Sequence, residues 1–310
     1  MRGAAWAGLQ DSMPRAALLS IHARVEGTPP TVLDDPALVQ VWGPRFSAYV
    51  VAAVDHPIFT LGRYPDDTRG RRVADALADR LHHFLDGRTM PYDDAGLALG
   101  VPPNRLRYAT TTGRVLIRWE GARRPTIWTV PRPEISVTDA RAELARRYVH
   151  VLGPTTPGSF AQWAGIGPAQ GQATFEALAD ELIPAESPIG PGWMLAEDAQ
   201  AMVSAAGAAA VSSVVRLLPS GDAYYLLQGT DRELLVPDQR LRSLLWTSRV
   251  WPGAVLAGGE IVGTWRRANT DVAIEAWRQL SRDEREAVEA EAESLPLSGL
   301  EGRIRANWVS

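Results

Sequence analysis

The chain has 310 residues, enough for two or three domains of ordinary size. Hydrophobic residues make up 45% and charged residues 22%, with a formal net charge of −4, which excludes a disordered chain. Cysteine is absent, which excludes disulfides, thiolate chemistry and cysteine-ligated zinc or iron–sulfur clusters.

Apolar spacing predicts a helix over Pro14–Val25, ended by Thr28-Pro29-Pro30. Pro36–Val41 reads as a short helix and Ala48–Val54 as a β-branched strand. A long helix is expected over Asp66–Leu85, stopped near Gly87, and two short ones over Asp93–Leu99 and Pro103–Tyr108. Arg114–Trp119 and Thr126–Val130 then form a β-hairpin around the basic loop Gly121–Pro125. Three helices and a basic hairpin is the order of a winged helix.

That order recurs. Helices are expected over Asp139–Leu152, Thr156–Ala164 and Pro168–Glu181, with Thr156 as N-cap before Pro157. Glu181–Glu186 and Gly192–Glu197 supply two strands. The turn Gly165-Ile-Gly-Pro168 has the size of a helix–turn–helix connection, an arrangement that reads DNA. Short strands follow at Ser213–Leu218, Ala223–Gln228, Glu233–Val236, Val255–Ala257, Glu260–Trp265 and Thr270–Ala276, as in a small barrel or sandwich. Ser281-Arg-Asp-Glu284 is a capping box for a last helix, Arg282–Leu295.

The expected fold is therefore α+β: tandem winged-helix units forming a concave DNA-binding surface, with a small C-terminal β-barrel-like domain. The expected boundaries are a first unit over 1–62, a second with the basic hairpin over 63–135, a third over 136–212, and a β-rich domain over 213–310.

Charge is unevenly spread. Residues 1–150 hold 20 Arg against 16 acids, and 151–310 hold 12 Arg against 20. The excess concentrates in 101–150, with 10 Arg and 4 acids, so an acidic chain can still turn a basic face to phosphate. Lysine is absent, so no side-chain amine exists to form a Schiff base, and any base–sugar cleavage would use water unless the terminal amine took part. Arg-rich coding in a GC-rich genome explains the same bias. No apolar run approaches the ~20 residues of a membrane span, and the N-terminus lacks signal-peptide order. The expected location is the bacterial cytoplasm, with the nucleoid, and the expected state a monomer.

Three stretches, Gly8-Leu-Gln-Asp-Ser-Met-Pro-Arg-Ala-Ala17, Ala223–Pro237 and Val255–Arg266, resemble the AlkZ-like winged-helix DNA glycosylases. The resemblance continues through the helix to Leu295. It implies tandem winged-helix units around duplex DNA, and excision of bulky alkylated purines or crosslinked bases. The family's Gln-apolar-Gln triplet falls on Gln10, Asp11 and Ser12, so one amide is replaced. The family's Arg-Gly-Thr-Leu-His-like stretch falls on Arg45 to Tyr49, keeping Arg45 and replacing His with Tyr49.

The candidate catalytic residues are therefore Gln10, Asp11 and Ser12. A purine substituted at N7 is already cationic and leaves without an enzymic acid, so the site need only place a water and stabilise an oxocarbenium-like transition state. Gln10 would orient that water; Asp11 would accept its proton or offset the growing positive charge. Equally, Ser12 fits as a cap of the helix after Pro14. Arg45, Tyr49, Arg114, Arg118, Arg123 and Arg124 are the candidate DNA contacts, since Arg donates in pairs to phosphate; solubility, or a core role for Tyr49, is the plainer alternative. His82-His83 diverge by about 100° on a helix and His22, His56 and His150 are scattered, so neither metal nor cofactor is expected. Three functions stay open: a monofunctional glycosylase, a non-catalytic DNA-binding protein of the same architecture, and a scaffold for protein or RNA.

Overall fold

The computed structural model describes residues 1–13, 15–120, 123–207, 214–297 and 302–309. The expected helix start at Pro14, the Gly121-Ala122 part of the basic loop and the strand start at Ser213 lie outside them.

Strand β1 (Leu9–Gln10) leads into helix α1 (Ala16–His22), β2 (Leu38–Trp42) and β3 (Ala48–Ala52). Then come α2 (His56–Leu61), α3 (Thr68–Leu85), β4 (Met90–Pro91), α4 (Tyr92–Ala98), a 3₁₀ segment Pro103–Thr112, β5 (Val115–Arg118) and β6 (Thr126–Thr129). Strands β1 to β6 form one antiparallel sheet in the order β1-β3-β2-β5-β6-β4. Gln40 and Ile117 join its halves, so segments 1–62 and 63–135 share a single sheet.

Residues 36–41 were expected to be helical, but Leu38–Trp42 is a strand. Five consecutive pairings to β3 outweigh the weak helical spacing, and Val39 and Val41 suit a pleated surface.

Helices α5 (Val137–Leu152), α6 (Pro157–Ala164) and α7 (Pro168–Ala177) precede the hairpin of β7 (Leu182–Ser187) and β8 (Gly190–Leu195), and α8 (Ala196–Gly207) follows. Ser136 caps α5 by accepting from the Asp139 amide at 3.0 Å, and Thr156 caps α6 by accepting from the Ser159 amide at 3.1 Å. The main core joins α2, α5, α6 and α7 to one face of the first sheet through Val41, Tyr49, Phe59, Leu144, Tyr148, Phe160 and Phe175.

Arg147 on α5 is 1% exposed and lies with its guanidinium 4.0 Å from the Trp6 ring centre. It bridges Asp55 at 3.0 Å and Glu143 at 2.8 Å, while Arg2 reaches Asp55 at 2.7 Å. Burial alone would push the Asp55 carboxyl up, but its bonds to Arg2 and Arg147 outweigh burial and hold it below its ordinary value. This network ties the N-terminal turn to α5.

The last part contains β9 (Val215–Leu218), α9 (Gln239–Leu245), β10 (Gly253–Ala257), β11 (Glu260–Ala268), β12 (Asp271–Ala276), α10 (Arg282–Glu293) and β13 (Arg305–Val309). The sheet order is β13-β12-β11-β10-β9, with β13 parallel to β12 and two open edges among the described residues, rather than a closed barrel. Ser281 and Glu284 make the expected capping box of α10, which packs Val288 and Ala292 on this sheet. The strands expected at 223–228 and 233–236 are instead 3₁₀ turns, Ala223–Tyr225 and Gly229–Leu234. Asp222 accepts from the Tyr224 amide at 2.9 Å, and Gly229 adopts φ 51°, so local bonding and a left-handed residue bend the chain away from a ladder.

Candidate active site at the junction of the two sheets

Gln10 pairs in register with Tyr49, which pairs with Val41 on its other side. Register partners share a sheet face, so Gln10 and Tyr49 point the same way. Gln10 Oε1 is buried and has no hydrogen-bond partner among the described residues. The amide group packs against Gly221, where an added Cβ would lie 3.4 Å from Gln10 Nε2.

Tyr49 is 1% exposed, and its buried hydroxyl has the Arg45 side chain as its polar neighbour. Burial pushes that phenol up to about 12, opposed by the nearby Arg45 and Arg63. The ring is clamped between two glycines: a Cβ on Gly8 would stand 2.9 Å from Tyr49 Cδ1, and one on Gly43 3.0 Å from Cδ2.

Asp11 takes the opposite direction, as strand alternation requires. Its amide donates to the Ala48 carbonyl at 2.8 Å. Its Oδ1 accepts from the Ala17 amide at 3.0 Å and its Oδ2 from Gln40 Nε2 at 2.6 Å. Asp11 therefore supplies the bond to the first turn of α1 for which Ser12 was a candidate. Burial dominates and pushes this carboxyl up to about 7, against the bonds from Ala17 and Gln40 and the charge of Arg118. Ser12 is half-buried in the turn to α1, and Arg15 starts the helix in a left-handed conformation, φ 66°.

Arg45 is half-buried with φ 54°, its backbone against Gly165, where a Cβ would meet Arg45 Cα at 3.0 Å. It forms no ion pair among the described residues, and its charge is felt at Tyr49, Tyr148 and Arg232. The hairpin arginines are all engaged. Arg114 pairs with Asp79, Arg118 with Asp34 at 2.6 Å, Arg123 with Glu120 at 3.1 Å, and Arg124 with Asp93 and Asp94, both at 3.8 Å. Arg123 and Arg124 remain 82% and 68% exposed, so their pairings are weak surface contacts.

Several residues that the sequence reading passed over complete the region. A cleft of about 250 Å³ begins at Met13, next in sequence to Ser12, and is lined by Met13, Arg15, Ser220, Trp251, Arg266 and Arg267, with no carboxylate in its lining. The Gly221 loop is fixed by Asp222, which is 1% exposed and accepts from Ser20 Oγ at 2.6 Å and from Arg24 at 2.8 and 2.7 Å. The guanidinium of Arg232 lies 5.1 and 5.4 Å from the Trp246 and Trp251 ring centres. Nothing in spacing alone joins Arg24 to Asp222, which are 198 positions apart.

Fold and site together define a mixed α+β protein whose N-terminal strand sets the unpartnered Gln10 Oε1 against Gly221, in the loop after β9 of the second sheet. The chain belongs to the AlkZ-like DNA glycosylase family, whose profile, described as DNA glycosylase AlkZ-like, matches residues 4–296. Among solved structures, the chain is similar to the Streptomyces sahachiroi DNA glycosylase AlkZ, with a TM-score of 0.76 and 18% identity over 99% of this chain and 92% of that one. No curated protein matches the sequence. No helix among the described residues is long and apolar enough to cross a membrane.

Proposed function

We propose that the protein is a monofunctional DNA glycosylase that hydrolyses the N-glycosidic bond of N7-substituted purines or crosslinked bases in duplex DNA. The carrying observation is the unpartnered buried acceptor Gln10 Oε1, packed against Gly221, whose neighbour Ser220 lines a cleft that also holds Arg15, Arg266 and Arg267. A buried orphan acceptor costs about 1–3 kcal/mol, so a site retaining one is kept for a group that arrives.

In this reading Gln10 Oε1 accepts a hydrogen bond from the water that attacks C1′. The purine leaves with the glycosidic electron pair and so becomes neutral; the water's oxygen bonds to C1′ and its proton passes to solvent. The absence of lysine leaves no side chain for a lyase step. Asp11 acts as a positioning residue, because both of its oxygens already accept bonds. Ser12, next in sequence to the cleft-lining Met13, is a shorter polar group. Arg15, Arg45, Arg266 and Arg267 hold phosphates, with Arg123 and Arg124 as outer contacts. The two runs of three helices and a hairpin act as winged-helix units, and the protein works as a cytoplasmic monomer.

A non-catalytic DNA-binding role is the second reading. It is favoured by the occupied oxygens of Asp11 and by Ser12 in place of an amide. Incubation with duplex DNA containing N7-methylguanine, followed by alkali, separates the two: strand cleavage supports the enzyme, and tight binding without base release supports the binding protein.

A further inference from the structure

A second cleft, of about 400 Å³ and without Gln10 in its lining, opens where Phe46, the start of α3, the 3₁₀ segment and the α6–α7 turn meet. Arg63 lines it and is 4% exposed. Its Nε donates to the Ala164 carbonyl at 2.6 Å and its Nη1 to the Trp42 carbonyl at 3.1 Å, while Nη2 has no bond among the described residues. No carboxylate pairs with it there, and its guanidinium lies 4.5 Å from the Phe46 ring centre. Burial pushes the Arg63 group down to about 9, so it is still charged at neutral pH.

A buried cation without a counterion is costly unless an anion is supplied from outside. Further unpaired donors share the lining. Arg69 and Arg105 are exposed and form no ion pair among the described residues, and Gln170 Nε2 is buried without a partner. The opposing charge in the lining is Asp67, one oxygen of which accepts from the Gly70 amide at 2.7 Å. Three guanidinium groups against one carboxylate call for an anion with several acceptor oxygens, which is the pattern of phosphate.

The cleft is larger than a bare phosphate needs and falls within the usual size of small-molecule sites, about 300–1,000 Å³. Tyr108 stands edge-to-face with Phe46, ring centres 5.2 Å apart, and is 45% exposed, so it offers free ring surface beside the cations. We propose that this cleft binds a nucleoside monophosphate, with the phosphate on Arg63, Arg69 and Arg105 and the base against Tyr108. The nucleotide comes either free or as one unit of a single strand. The site stands independently of the activity assigned to Gln10.

Calorimetric titration of the intact protein with 5′-dAMP, inorganic phosphate and deoxyadenosine tests this. 5′-dAMP is expected to bind, with inorganic phosphate and deoxyadenosine each at least tenfold weaker. Changing the exposed pair, Arg69→Ala with Arg105→Ala, should weaken 5′-dAMP at least tenfold and leave the melting temperature unchanged. Gln10→Ala should bind it as the unaltered protein does. Competition by a single-stranded oligonucleotide that is lost in the double variant assigns the site to a strand; competition by the mononucleotide alone assigns it to the free compound. Absent 5′-dAMP binding, or binding unchanged in the double variant, overturns the site. Inorganic phosphate binding as tightly as 5′-dAMP overturns the nucleotide assignment.

Discussion

Gln10 and Tyr49 are register partners across β1 and β3; Gln10 ends in a buried acceptor without a hydrogen-bond partner, and the buried Tyr49 hydroxyl has Arg45 as its polar neighbour. Around them lie Gly8, Gly43 and Gly221, whose lack of a side chain makes room for the two groups. The candidate site is thus a polar gap held open by glycine, and Ser220, next to Gly221, lines a cleft with Arg15, Arg266 and Arg267.

Gly8→Ala is expected to destabilise the fold by about 2–4 kcal/mol, from left-handed strain plus crowding. Its φ is 72°, and the new methyl would lie 2.8 Å from Phe59 Cε1 and 2.9 Å from Tyr49 Cδ1. Urea denaturation measures the loss. A cost below about 0.5 kcal/mol, the range of neutral surface changes, would show that the clamp around Tyr49 is loose.

Arg24→Met leaves Asp222 buried with its charge unpaired, and should cost about 2–4 kcal/mol, less than a fully buried pair because Arg24 is 28% exposed. Adding Asp222→Asn to that variant should recover part of the loss. A double variant no more stable than Arg24→Met would show that the ion pair does not hold the Gly221 loop.

Asp11 makes a signed pH prediction. Its folded-state pKa, about 7, lies above its ordinary value of 3.8, so the folded state binds the extra proton between those values. Stability through this group therefore falls as pH rises from about 4 to about 7 and is flat above that. Asp11→Asn should lack this slope. Denaturant melts of both proteins at pH 5 and pH 8 give the comparison: relative to the variant, the unaltered protein should be less stable at the higher pH. Equal differences at the two pH values would remove the titration from Asp11.

Arg15, Arg266 and Arg267 should set the salt dependence of DNA binding. Each phosphate contact removed lowers the slope of log affinity against log salt by about 0.9. Alanine at all three should weaken duplex binding and flatten that slope, as read by fluorescence anisotropy over a salt series. Identical slopes would place the DNA elsewhere.

The helices were legible where caps and spacing agreed. Thr156-Pro157 and Ser281-Arg-Asp-Glu284 start helices as expected, and the hairpin of Val115–Arg118 with Thr126–Thr129 follows its β-branched pattern. Leu38–Trp42 misled because its partners are supplied by β3 and β5, which local spacing cannot show. The 223–236 segment misled because Asp222 and Gly229 bend an apolar stretch that reads as strand. At the candidate site, the motif singles out the Gln10–Ser12 segment. The opposed directions of Gln10 and Asp11 depend on a two-residue strand too short for periodicity to reveal. Gln40 meets Asp11, and Arg24 meets Asp222, only through the tertiary fold.

Base release from a duplex carrying N7-methylguanine, followed with DNA binding in the same samples, weighs most directly on the role of Gln10. The unaltered protein should leave alkali-labile sites. Gln10→Ala should bind the duplex within about twofold yet release base at least 100-fold more slowly, the scale of losing one aligned polar group at a reaction centre. Equal release by both proteins, or none by the unaltered protein despite tight binding, would contradict the assignment.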